Sequence, residues 1–141
     1  MIKELNFRNG AQSKTLRYVA IQDIVSLSLD KLTSCFFLVD TVCEWANFKK
    51  IADAIFATGC REFSFAGAAS HRWECDFDLY DCDRDAPEDD WATTSHYENI
   101  SEFLKMLNIA ISASECLLIY DTPVSLLALQ YQLLDLWEID S

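Results

Sequence analysis

Glycine and proline are scarce in this chain, three and two among 141 residues. The glycines are too few and too scattered for a phosphate-binding loop, and no linker, repeat or low-complexity tract divides the chain. Bases are scarce too: eleven Lys and Arg stand against twenty-three Asp and Glu, a formal net charge of −12. Nucleic acid and anionic membrane are polyanions, so neither is expected as a direct partner. No apolar run approaches the roughly 18 residues of a membrane span. The opening residues, Met1 to Phe7, hold no apolar h-region, so no secretory leader is expected. The six cysteines (Cys35, Cys43, Cys60, Cys75, Cys82 and Cys116) contain no C-x-x-C pair. The two histidines, His71 and His96, are not spaced to complete a zinc set. Neither a metal nor a cofactor is expected. Cys35 and Cys116 lie in apolar runs and read as small hydrophobes, and free thiols suit a reducing cytoplasm.

What the chain does have is a large apolar fraction, 51% hydrophobic and 13% aromatic. That is enough for one domain of this length to bury roughly two thirds of its unfolded surface. The expected fold is a single α/β domain over residues 1–141. Its sheet is mainly parallel, of about three to five strands, built from βαβ units with helices packed on it. An acidic strand or loop insertion is expected at about residues 71–97.

Taken in order, Asn9-Gly10 marks a turn, and the N-terminus reads as a frayed or edge strand or a short edge hairpin. Its bases (Lys3, Arg8, Lys14, Arg17) could fold back on the acidic segment. Residues 16–29 are β-branched and read as extended. Cys35 to Asp40 is a buried parallel strand by its continuous apolar run. Thr41 and Glu44 match a capping box, followed by a helical stripe of Trp45, Phe48, Ile51, Ala52, Ile55 and Phe56 that Gly59 ends. Arg61 to Gly67 and Glu115 to Asp121 are further strands. Asn99 and Glu102 cap a second helix, and Pro123 opens a third at its first turn. That last helix, to about Leu136, carries Val124, Leu126, Leu127, Leu129, Leu133, Leu134, Leu136 and Trp137 on nearly all its faces. A helix so apolar is central to the core or covered by another chain, which makes the 123–137 helix a candidate homodimer contact.

The segment from Trp73 to Trp91 carries most of the charge. Between Glu74 and Asp90 there are nine acids against one base, Arg84. Its first half alternates, with Trp73, Cys75, Phe77 and Leu79 on one side and Glu74, Asp76, Asp78 and Tyr80 on the other. That is the pattern of a half-buried strand with an acidic outer face. Alternate strand residues lie about 6.6–6.8 Å apart, so the carboxylates could imitate a row of phosphates. The bland counterpart is a solvated edge strand whose charges block aggregation. Asp81, Asp83 and Asp85 fall at calcium-loop positions, but Ala86 and Ala92 stand where an EF-hand needs Gly and Glu.

Function follows from that segment. The expected activity is binding a basic protein, as a cytosolic immunity or inhibitor protein covering the cationic active site of a toxin or nuclease. The resemblance to such bacterial inhibitors is one of composition. The expected contact residues are Glu74, Asp76, Asp78, Tyr80, Asp81, Asp83, Asp85, Asp89, Asp90 and Trp91, the acids steering and the aromatics anchoring. Catalysis is not expected. The alternative is a small enzyme or ligand-binding protein with a cleft at the carboxyl ends of the strands, where Asp40, His71 and Asp121 could meet.

Overall fold

The computed structural model describes residues 1–9, 12–113, 115–134 and 138–139. Six strands and a two-residue seventh form one mixed sheet in the order β5-β4-β3-β6-β2-β1-β7. The central strands are β3 (Ser34–Leu38), β4 (Glu62–Ala66) and β6 (Cys116–Tyr120). They pair in parallel, with β5 (Thr93–Tyr97) beside β4 and β2 (Gln12–Ala20) beside β6. β1 (Lys3–Asn9) runs antiparallel to β2, and β7 (Glu138–Ile139) antiparallel to β1. The expected α/β domain forms, with a sheet widened by the N-terminal hairpin and by β5.

Alternation along the strands, with both faces covered, explains why β3 and β6 are apolar over nearly their whole length. Phe37 and Val39 face one side of the sheet, Phe36 and Leu38 the other, and both sides are covered. Helices α1 (Trp45–Phe56) and α2 (Ser70–Asp83) cover the first face, and α3 (Ile100–Ala113) and α4 (Pro123–Leu134) the second. The face changes where the chain passes from edge strand β5 back across the sheet to β6, as one hand of crossover requires.

Four expectations fail here. First, residues 70–83 are helical, not a strand. Trp73, Phe77 and Tyr80 recur at helical spacing, and only Trp73 and Phe77 of the supposed inner row are buried, leaving Cys75 and Leu79 exposed. A connection between the parallel strands β4 and β5 needs a crossover element, and the helix is that element. Second, the basic arm does not reach the acidic segment, because β1 and β2 lie towards the opposite edge of the sheet from β5. Third, the extended reading of 16–29 stops at Ala20, where a 3₁₀ turn (Ile21–Ser26) buries Ile24. Fourth, the Thr41–Glu44 capping box does not form. Glu44 stands at the N-cap of α1 without a side-chain bond, and the Thr41 hydroxyl is drawn to Asp121. Of the Asn99–Glu102 pair, the Asn99 half forms: its Oδ1 accepts the Ser101 N–H at 2.9 Å.

One glycine is sterically required. Gly67 follows β4 at φ +105°, and a Cβ there would lie 2.3 Å from the Val39 carbonyl oxygen. Only glycine lets the β3 and β4 ends approach so closely.

Candidate functional site

The acids of α2 divide by the direction each faces. Glu74, Asp78 and Asp81 occupy i, i+4 and i+7, one face of the helix, and that face looks onto β5. Glu74 Oε1 lies 2.8 Å from His96 Nδ1. Asp78 accepts the Thr94 hydroxyl at 2.7 Å, and Asp81 Oδ2 accepts the Ala92 N–H at 2.9 Å. Three carboxylates thus fasten the edge strand to the helix, residue by alternate residue. Asp76 pairs with Arg72 at 3.2 Å, and the Tyr80 hydroxyl donates to Asp53 while its ring packs on Phe56.

Beyond the helix the chain turns through Asp85, which takes φ +52°, a left-handed conformation that aspartate tolerates better than most residues. A short 3₁₀ turn (Glu88–Asp90) follows before β5. Arg84 ties this turn together. It reaches Asp81 at 2.9 Å and Asp90 Oδ2 at 3.2 Å, and donates to the Asp90 carbonyl at 2.6 Å. Its guanidinium lies 4.6 Å from the centroid of the Phe56 ring. Arg61 adds a second bond to Asp90 at 3.0 Å, and the two arginines hold that carboxyl below its usual range.

Of the ten residues expected at the interface, six are therefore occupied with internal partners: Glu74, Asp76, Asp78, Tyr80, Asp81 and Asp90. Asp83, Asp85 and Asp89 are exposed and make no ion pair among the described residues. Trp91 is 58% exposed, its indole N–H donating to the Ala86 carbonyl at 3.0 Å, so the ring is fixed yet open to solvent. It borders an open cleft of about 400 Å³ lined also by Asp78, Asp81, Cys82, Asp85, Ala86 and Ala92. The calcium-loop spacing does not produce a loop, since Asp81 and Asp83 lie on the last turn of α2.

At the carboxyl ends of the strands, Asp40 and Asp121 do meet. They follow β3 and β6, the adjacent strands from which the connections diverge to opposite faces, the place where α/β sheets form clefts. Asp121 Oδ2 accepts the N–H groups of Asp40 and Thr41 at 2.8 and 2.7 Å and the Thr41 hydroxyl at 2.9 Å. Its buried Oδ1 has no partner among the described residues. Asp40 accepts the Ala68 N–H at 2.9 Å and the hydroxyls of Thr122 and Ser125. Both carboxylates thus join the loops that close the sheet end. A cleft of about 380 Å³ opens beside Asp40, walled by Gly67, Tyr97, Glu98, Ser125 and Gln132.

His71 belongs to a neighbouring cluster instead. It stands with Glu74 and His96, and one ligand atom from each of the three lies within 4.8 Å of the others. Among the described residues this is the one such group able to hold a metal ion. Sequence spacing had no means of finding it, because His96 comes from β5, twenty-five residues after His71. No described helix is long and apolar enough to cross a membrane. Compared with family models, curated proteins and solved structures, the chain matches none.

Proposed function

We propose that this protein binds a basic protein surface through the turn that joins α2 to β5, with Trp91 as the anchor and Asp83, Asp85 and Asp89 as the steering charges. The observation that carries the reading is the fixed, exposed Trp91, sharing its cleft with Asp85, in a turn whose exposed Asp83, Asp85 and Asp89 make no ion pair among the described residues. A rigid aromatic at the centre of a contact supplies binding energy at little entropic cost, and like charges around it raise the encounter rate with a cation-rich partner. The finer form of the proposal is a cytoplasmic inhibitor or immunity protein that covers the cationic active site of a toxin or nuclease. Asp81 and Asp90 then act at second hand, holding the turn in shape, while Glu74 and Asp78 hold β5 against α2 and Asp76 pairs with Arg72 along the helix. Tyr80 ties α2 to α1 through Asp53 and Phe56.

The test is affinity capture at low salt with the wild-type chain and with the Asp83→Asn/Asp85→Asn/Asp89→Asn/Trp91→Ala variant, eluted with a salt gradient. A basic protein released from wild type at raised salt and missing from the variant is the expected result. Equal capture by both chains would move the contact elsewhere.

A second reading has its own observation. On α4, Val124, Leu127 and Tyr131 are exposed at i, i+3 and i+7, while Leu126, Leu129 and Leu133 are buried beneath them. That stripe supports self-association through this helix; its expected continuation at 135–137 lies outside the described residues. A solution mass that stays monomeric as concentration rises would remove this reading.

A further inference from the structure

Three metal-ligating side chains converge at the seam between α2 and β5. His71 stands in the first turn of α2 and Glu74 three residues on, so both project from one side of the helix. His96 comes from β5, on the same side of that strand as Thr94, which also meets α2. The His71 and His96 rings lie edge to face with centroids 5.1 Å apart. The side chains of Glu74 and His96 are only 16% and 32% exposed, so packing holds them in place. His71 is exposed and borders an open cleft of about 550 Å³ shared with Gly67, Ala68, Ser70, His96 and Glu98.

We infer that His71, Glu74 and His96 form a binding site for a divalent transition-metal ion, zinc being the best match, with its remaining coordination positions open to that cleft. Two imidazoles and one carboxylate suit borderline ions, whereas calcium and magnesium require oxygen ligands throughout. Bonds of about 2.0–2.2 Å place neighbouring ligand atoms about 3.0–3.5 Å apart. The separations here, from 2.8 Å between His96 and Glu74 up to 4.8 Å within the trio, straddle that range and close by side-chain rotation. Three protein ligands with open positions is an arrangement used where a metal must also reach a water or a substrate group. The site is separate from the proposed protein interface, because His71 and Asp83 are about 18 Å apart along the helix.

One neighbouring thiol must be kept distinct. Cys75 Sγ lies 3.7 Å from His71 Nε2, one turn further along α2, and is exposed. The experiment is therefore titration calorimetry with zinc chloride on the full chain carrying Cys75→Ser. One ion per chain is expected, with affinity falling at least tenfold on His71→Ala and at least tenfold on Glu74→Gln, and unchanged by Asp83→Asn. His71 is on the surface, so the His71→Ala variant keeps its fold, which its circular dichroism verifies. Absence of one-to-one binding in the Cys75→Ser chain, or affinity indifferent to His71→Ala, overturns the site. Zinc bound by wild type but lost with Cys75→Ser alone does the same, by assigning it to the thiol.

Discussion

Phe77 is the residue on which the first face of the sheet converges. Its ring lies 4.8–5.3 Å from those of Phe63, Phe48, Phe37 and Phe65, on both the sheet and α1. Deleting it leaves a cavity bordered by β3, β4 and α1, so Phe77→Ala should cost about 3–5 kcal/mol. Leu79, two residues on, is 52% exposed, and Leu79→Ala should change stability by less than about 0.5 kcal/mol. Urea melts of the two variants check the pair, and equal losses would mean that both residues face the core, as on a strand. Tyr80 gives a prediction in alkali. Burial and the hydrogen bond to Asp53 push its phenol up to about 12. The folded chain holds this proton more tightly than the unfolded one, whose phenol titrates near about 10. The contribution is thus complete below about pH 10 and is lost as pH rises through the folded value. The stability advantage of wild type over Tyr80→Phe should therefore shrink across that window, measured by urea melts. A constant difference would show that the phenol has no folded-state preference for its proton.

Among the elements, α2 and the turn after it carry both the charge and the candidate interface. Arg84 holds that turn from inside, through Asp81, Asp90 and the Phe56 ring. Arg84→Ala removes the cation shared by Asp81 and Asp90, leaving Asp90 to Arg61 and Asp81 to the Ala92 N–H, and should cost about 1–3 kcal/mol. It should also raise hydrogen exchange across 84–91 while leaving β3 and β6 protected. Exchange that rises evenly over the whole sheet would contradict a local role. The helix itself was the hardest element to read from sequence. Trp73, Phe77 and Tyr80 fit a period of 3.6, but Trp73, Cys75, Phe77 and Leu79 fit a period of two with one more apolar match. What decides between them is tertiary: β4 and β5 are parallel and adjacent, and a strand cannot connect them. By contrast β3, β6 and the starts of α3 and α4 were legible locally, because continuous apolar runs, Asn99 and Pro123 need no distant partner to be understood, and β4 was legible from the alternation of Phe63 and Phe65 with Glu62 and Ser64. The candidate site was legible in part. Trp91, Asp83, Asp85 and Asp89 stand out by composition, while the engagement of Glu74, Asp78 and Asp81 depends on where β5 lies.

At the scale of the molecule, the charge is concentrated on one side. The acidic helix and its turn flank the β5 edge, and the N-terminal bases lie on β1 and β2 towards the other edge. In the proposed function, that asymmetry would orient the protein towards a cationic partner before contact is made. Three surfaces compete for the role of interface: the Trp91 turn, the exposed stripe of α4, and the cleft at the strand ends. The measurement that separates them most directly is hydrogen exchange on the complex with the captured basic protein, compared with the free chain. New protection confined to residues 82–92 is the result expected from the Trp91 turn. Protection falling on α4 or around Asp40 and Glu98, with 82–92 unchanged, would contradict it.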